Sequence, residues 1–406
     1  MSTAPASTWR DRALAVMPVG SSTNSKAPRL LPEEPEVIVR GRGCRVWDDR
    51  GREFIDFRNA LGPVTLGYAD GAVDEAIRAQ LDDGILFGHP HPLETVAAEL
   101  FCSLVPGAEG ARFLKSGGEA LAAVIRIARA CTGRDHVVQI GYNGWLNSLA
   151  AGARVLPGAA AERVPGVPAA LAGLHHQVEW EDRTALETLF RSLDGEIALV
   201  LVAADYARLP ESTSFYPFLR ELADRHGALL AYDEMVTGFR VAIGGMSELS
   251  GVVPDLAVFG KGIANGMPLA VYCGRREILS VLDRGDVVVS STYGGETLSL
   301  AAAVTVMTAY RDEDVVGTLH RSGERMMTGL NRLLREHGTD LSLRGLPVCP
   351  QLVGPTSSID DLVRAAYRHG VSLYSVVYVN RAHRAADIDE ALVRLERALA
   401  ERGDAR

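Results

Sequence analysis

Six short apolar runs constrain this chain more than any other feature: HVVQIGY (136–142), HQVEW (176–180), IALVLVAAD (197–205), ALLAYDE (228–234), LAVFGK (256–261) and LAVYCG (269–274). Each is strand-length and apolar almost throughout, rather than alternating. Helical segments such as TALETLFRSL (184–193) and FYPFLRELADRHG (215–227) stand between them. A strand without a polar face must be covered on both sides, so the pattern predicts an α/β protein with a mostly parallel sheet and helices on each face. Residues 61–311 are assigned to this large domain.

The flanks read differently. VIVRGRGCRVWDDRGREFIDF (37–57) alternates around glycine turns, as a β-meander does, and marks an N-terminal segment over 1–60. Residues 312–406 contain two amphipathic helices, VVGTLHRSGERMMTGLNRLLREHG (315–338) and DIDEALVRLERALAERG (387–403). They predict a C-terminal α+β subdomain, and the two ends together predict a smaller α+β domain. The Gly/Ala/Pro-rich stretch 150–174 is too long for an ordinary connection and is expected to be a lid.

Composition removes several function classes. The formal charge is −9 with no long basic run, which argues against a nucleic-acid partner. No stretch approaches 18 uninterrupted apolar residues, and the start MSTAPASTWRDRALAVMP lacks the apolar core of a signal peptide. A soluble, cytoplasmic protein is expected. The five cysteines are scattered without a C-x-x-C pair, and the ten histidines lack companions at ligand spacing, so no metal is expected.

In open α/β sheets, ligands bind where strands end and helices begin, and three strands deliver chemistry there. Ser116, Gly117, Gly118 and Glu119 follow the strand ARFLKS (111–116) and open a helix. The glycines allow close backbone approach, and the free N–H groups at a helix start suit a phosphate. The same S-x-x-E is also an ordinary capping box. ALLAYDE ends in Asp233 and Glu234. A carboxylate there can hold a protonated heteroaromatic nitrogen, although it can equally be a turn or a cap. Lys261 lies between two apolar strands, flanked by Gly260, Gly262 and Gly266. A desolvated lysine has a lowered pKa and is available for imine formation; a surface turn is the plainer alternative. A phosphate cradle, a pyridine-nitrogen carboxylate and an imine lysine are together what pyridoxal phosphate (PLP) requires. No G-x-G-x-x-G occurs, which removes the main support for a nicotinamide-dependent oxidoreductase.

Taken together, Ser116-Gly117-Gly118-Glu119-Ala120, DEMVTGFR (233–240), FGKGIANGMPLAVYCGRREI (259–278) and STYGGETLSLAAA (291–303) resemble the class III aminotransferases of PLP fold type I. Within them, the glutamate-1-semialdehyde aminomutase branch is the most similar. The resemblance implies that Lys261 is the Schiff-base lysine and proton shuttle, and that Asp233 is the partner of the pyridine nitrogen. It places Met235 against one ring face, where the family has Val, and Tyr142 over the other. Ser116, Gly117 and Gly118 would cradle the phosphate. Thr292 would reach the phosphate from a neighbouring subunit, implying a homodimer.

Three departures bear on the substrate. Ala203-Ala204 stand where the family often has Glu-Pro, Pro28 occupies the register of an expected arginine with Arg29 beside it, and Gly118 replaces the usual Thr of the aminomutases. Loss of a bidentate arginine argues against a small amino dicarboxylate. Relatives of this branch also serve antibiotic pathways, so a PLP-dependent aminotransferase acting on an amino sugar, of the aminoglycoside (gentamicin) type, is the first expectation. A PLP-dependent isomerase, aminomutase or epimerase, is the alternative.

Overall fold

The computed structural model describes residues 8–146, 165–211 and 214–404. Most of the stretch read as a lid lies outside them. Its last residues, 165–174, form a turn and the short helix Ala169–Ala172.

The chain divides into two compact units. One comprises Met1–Asn59, Gly67–Ala69 and Arg321–Arg406, and the other Ala60–Leu66 and Asp70–His320. In the first unit, β1 (Ile38–Arg42), β2 (Arg45–Asp48) and β3 (Glu53–Asp56) form the antiparallel meander that the alternation at 37–57 predicts.

The second unit is built on β4 (Gly110–Leu114), β5 (His136–Ile140), β6 (His175–Val178), β7 (Ile197–Ala203), β8 (Leu229–Asp233), β9 (Leu256–Gly260) and β10 (Ala270–Gly274). These make one sheet in the order β4-β10-β9-β8-β7-β5-β6. β10 pairs antiparallel with both β4 and β9; the pairs among β9, β8, β7, β5 and β6 are parallel. All seven residues of β7 are buried, as expected of a strand covered on both faces. The helix Gly117–Thr132 packs on the sheet through Ala120, Leu121, Val124, Ile125, Ile127 and Ala128. Its apolar positions recur at helical spacing, and Gly133 ends it in the left-handed conformation (φ 67°) that glycine tolerates best.

The chain then returns to the first unit. Its strands β11 (Ser342–Arg344) and β12 (Gln351–Val353) form a hairpin, and β13 (Val371–Ser372) pairs parallel with β3 through Val371 and Ile55. Helices Val315–Glu336 and Ala385–Asp404 correspond to the two amphipathic segments. Among the described residues no helix is long and apolar enough to cross a membrane.

Candidate active site

Strand order decides which residues meet. Because β7, β8 and β9 run parallel side by side, their C-terminal ends share one edge of the sheet. Ala203, Asp233 and the turn carrying Lys261 therefore lie next to one another: Ala203 pairs with Asp233, and Asp233 with Val258, three residues before Lys261. The end of β5 adds the loop Gly141–Gly144, and the end of β4 adds Ser116–Gly118.

Lysine is scarce. The chain has three, Lys26, Lys115 and Lys261. Lys26 is exposed. Lys115 is held by Glu296 Oε2 at 2.6 Å and Ser299 Oγ at 3.2 Å. Lys261 has no such anchor and sits at φ 43°, in the left-handed region that a side-chain-bearing residue rarely adopts. Burial holds its amine below the usual lysine range; Asp233 opposes that shift and Arg240 reinforces it. Unprotonated amine is therefore more accessible here than on a surface lysine.

Asp233 is the facing charge. Burial raises its carboxyl above the usual range, while Lys261, the Met235 N–H and Asn143 act to lower it. Its Oδ1 accepts the Met235 N–H at 3.0 Å. Neighbouring Glu234 does a different job. It is fully buried and accepts from the Thr237 hydroxyl, from the Met246 N–H at 2.8 Å, and from the Ser247 N–H at 3.1 Å. Glu234 is thus spent on folding the loop after β8, even though burial pushes its pKa up to about 7. The motif's glycine has a steric cause: a methyl on Gly238 would lie 2.3 Å from the Phe259 ring. Arg240, the last residue of the motif, is buried and donates to the Gly62 carbonyl at 2.7 Å.

The Met235 side chain joins the phosphate-type loop to the lysine turn. A methyl on Gly117 would lie 2.9 Å from Met235 Cε and Sδ, and one on Gly260 would lie 2.5 Å from Met235 Cε. Ser116 caps the helix as a reciprocal box with Glu119. That box uses the Glu119 N–H, and the Ala120 N–H goes to the Ser116 carbonyl, which leaves the Gly117 and Gly118 N–H groups without an acceptor among the described residues. S-G-G-E is a helix cap, and the same turn leaves these two N–H groups beside Met235.

Not every residue singled out in the sequence joins this cluster. Tyr142 is exposed on the β5 loop, and Thr292 is exposed on the turn 292–295, without a hydrogen-bond partner among the described residues. Asn143, which the sequence did not single out, is buried (1% exposed), and neither end of its amide has a partner among the described residues. A glycine on each side of Tyr142-Asn143 was the available signal.

The cluster fits PLP. It offers two free backbone donors at a helix start for a phosphate, an under-satisfied carboxylate for a ring nitrogen, a desolvated amine, and a buried amide without a partner among the described residues. Residues 31–399 match the family described as "Aminotransferase class-III". A glutamate-1-semialdehyde 2,1-aminomutase of Aquifex aeolicus is 33% identical over 419 residues, spanning 96% of this chain and 98% of that protein. Among solved structures, the PLP internal aldimine form of the FumI protein of Sphingopyxis sp. MTA144 superposes with a TM-score of 0.87 at 27% identity, covering 97% of this chain and 95% of that one. An omega-transaminase from Sphaerobacter thermophilus gives 0.89 at 25% identity, with 98% of each chain covered.

Proposed function

Because the chain belongs to the class III aminotransferase family, a family of PLP-dependent enzymes, we propose that it moves the amino group of a small amino/oxo metabolite at the cluster around Lys261. The observation that carries this reading is the pairing of the one desolvated, unanchored lysine with Asp233 at the shared edge of β8 and β9. Bound PLP supplies an electron sink for the charge left when a proton departs from the amine-bearing carbon.

The chain's own residues do the rest. Asp233 would hold the ring nitrogen in its protonated form. Gly117 and Gly118 would donate their N–H groups to the phosphate, with Ser116 shaping the turn that presents them. Met235 would bound one face of the ring, and the resemblance assigns the other to Tyr142. Lys261 would hold the cofactor, and its amine would be the group that takes a proton from the substrate carbon and returns it. Where the proton returns decides between net transfer and isomerisation.

The curated relative's name favours intramolecular transfer, as in glutamate-1-semialdehyde 2,1-aminomutase. An amino-sugar substrate rests on the departures alone. Ala203 is a methyl where the family often has a carboxylate, and Gly118 lacks the hydroxyl of the aminomutases' usual Thr, so two polar groups suited to the aminomutase substrate are missing. Arg29 is exposed, and only its backbone N–H is engaged, with Glu34 Oε2 at 2.8 Å. One assay separates the readings. Incubated alone with glutamate-1-semialdehyde, an aminomutase gives the isomer of equal mass and consumes no added amino donor. Turnover only with a donor and an oxo-sugar would establish the transaminase instead, judged by kcat/KM.

A homodimer is the expected assembly. The second unit exposes Phe87, Val96, Trp145, Val288 and Tyr293, large apolar side chains that a partner subunit could cover. Thr292 stands on that exposed stretch, free to serve a partner's phosphate. Sedimentation should give a dimer, and a fully active monomer would remove both the interface and the shared role of Thr292.

A further inference from the structure

Asn143 presents an unmet need inside the site. It is 1% exposed, and neither Nδ2 nor Oδ1 has a hydrogen-bond partner among the described residues. Buried amides are normally satisfied, so an orphan at a ligand-binding edge points to a partner that it engages once the ligand is bound. The loop leaves it little freedom. Gly141 (φ 76°) and Gly144 (φ 106°) bracket it, and a methyl on Gly141 would lie 2.4 Å from the Ala203 carbonyl oxygen. The loop therefore presses on the end of β7, and Gln177 Nε2 ties the Gly141 carbonyl down at 3.3 Å. Ala203 pairs directly with Asp233, which brings the amide alongside the carboxylate.

Asp233 has a matching need. Oδ1 takes the Met235 N–H, and Oδ2 has no donor among the described residues. We propose that Asn143 is a positioning residue: with PLP in place, its amide N–H donates to the Asp233 carboxylate and holds that carboxylate on the pyridine nitrogen. The proximity is already felt, since Asn143 acts to lower the Asp233 pKa. An amide does not titrate, so the support persists across the working pH range. This inference rests on the PLP reading and names a residue that acts through Asp233 without touching substrate.

The test uses full-length apoenzyme, titrated with PLP and followed by absorbance, together with its melting temperature. In Asn143→Ala the orphan amide is gone, so the apoenzyme should melt at the wild-type temperature or above it. PLP should nevertheless bind about ten- to a hundredfold more weakly, the scale of one hydrogen bond to a charged group. In Asn143→Asp a second carboxylate faces Asp233, so PLP affinity should drop further and recover as the pH is lowered. Wild-type affinity in Asn143→Ala, or a lower apoenzyme melting temperature with unchanged affinity, would show that Asn143 only packs the loop. If the wild-type apoenzyme itself takes up no PLP, the cofactor reading fails along with this one.

Discussion

Lys261→Ala is expected to fold normally and to lose turnover by at least about 10⁴-fold, since one substitution removes both the cofactor's anchor and the proton carrier. Folding should survive because Lys261 contributes little to it. Its amine is desolvated with only Asp233 in compensation, and its backbone occupies the left-handed region, at a cost of roughly 1–3 kcal/mol that Ala inherits unchanged. Removing the amine also removes its desolvation, so the apoenzyme's melting temperature should hold or rise. Borohydride reduction of the PLP-loaded wild type, followed by peptide mapping, gives an independent reading. With three lysines in the chain, the label can fall at Lys26, Lys115 or Lys261. Label at Lys115 would require breaking its 2.6 Å contact with Glu296 and would displace the whole assignment.

The parts of this molecule that were legible in the sequence are those encoded locally. The uniformly apolar β7 announces burial on both faces, and the 3.6-residue recurrence of Leu121, Val124, Ile125 and Ala128 announces a helix on the sheet. The S-x-x-E cap is also local, since both of its partners lie within three residues. Three features depend on distance and were not legible. The pairing of β13 with β3 joins Val371 to Ile55, and no local pattern reveals so remote a parallel partner. The division of labour between Asp233 and Glu234 follows from what surrounds each. Adjacent residues of one strand end point to opposite sides, so one carboxylate meets the lysine while the other meets the Thr237, Met246 and Ser247 donors. Asn143 became visible only when its amide was found buried and unpartnered.

Asp233→Asn should keep the cofactor and lose the chemistry, with kcat reduced about 10²- to 10⁴-fold, the range spanned by removal of one positioned charge or proton-transfer partner. The amide is nearly isosteric and can still accept the Met235 N–H at the position where Oδ1 does so at 3.0 Å, so the turn after β8 should keep its shape. What changes is charge. A carboxylate opposite the ring nitrogen stabilises the protonated pyridine, and only that form draws electrons strongly from the substrate carbon. A neutral amide lets the nitrogen lose its proton. The loss should therefore appear in kcat and kcat/KM together, because the interaction matters most where charge develops, with PLP affinity falling less. Lys261 reports the same change from the other side. Asp233 is what raises its pKa against burial, so in Asp233→Asn the lysine should titrate still lower than in the wild-type apoenzyme. A variant with near-normal kcat and an unshifted lysine would mean that Asp233 is a turn residue and that the ring nitrogen finds its partner elsewhere.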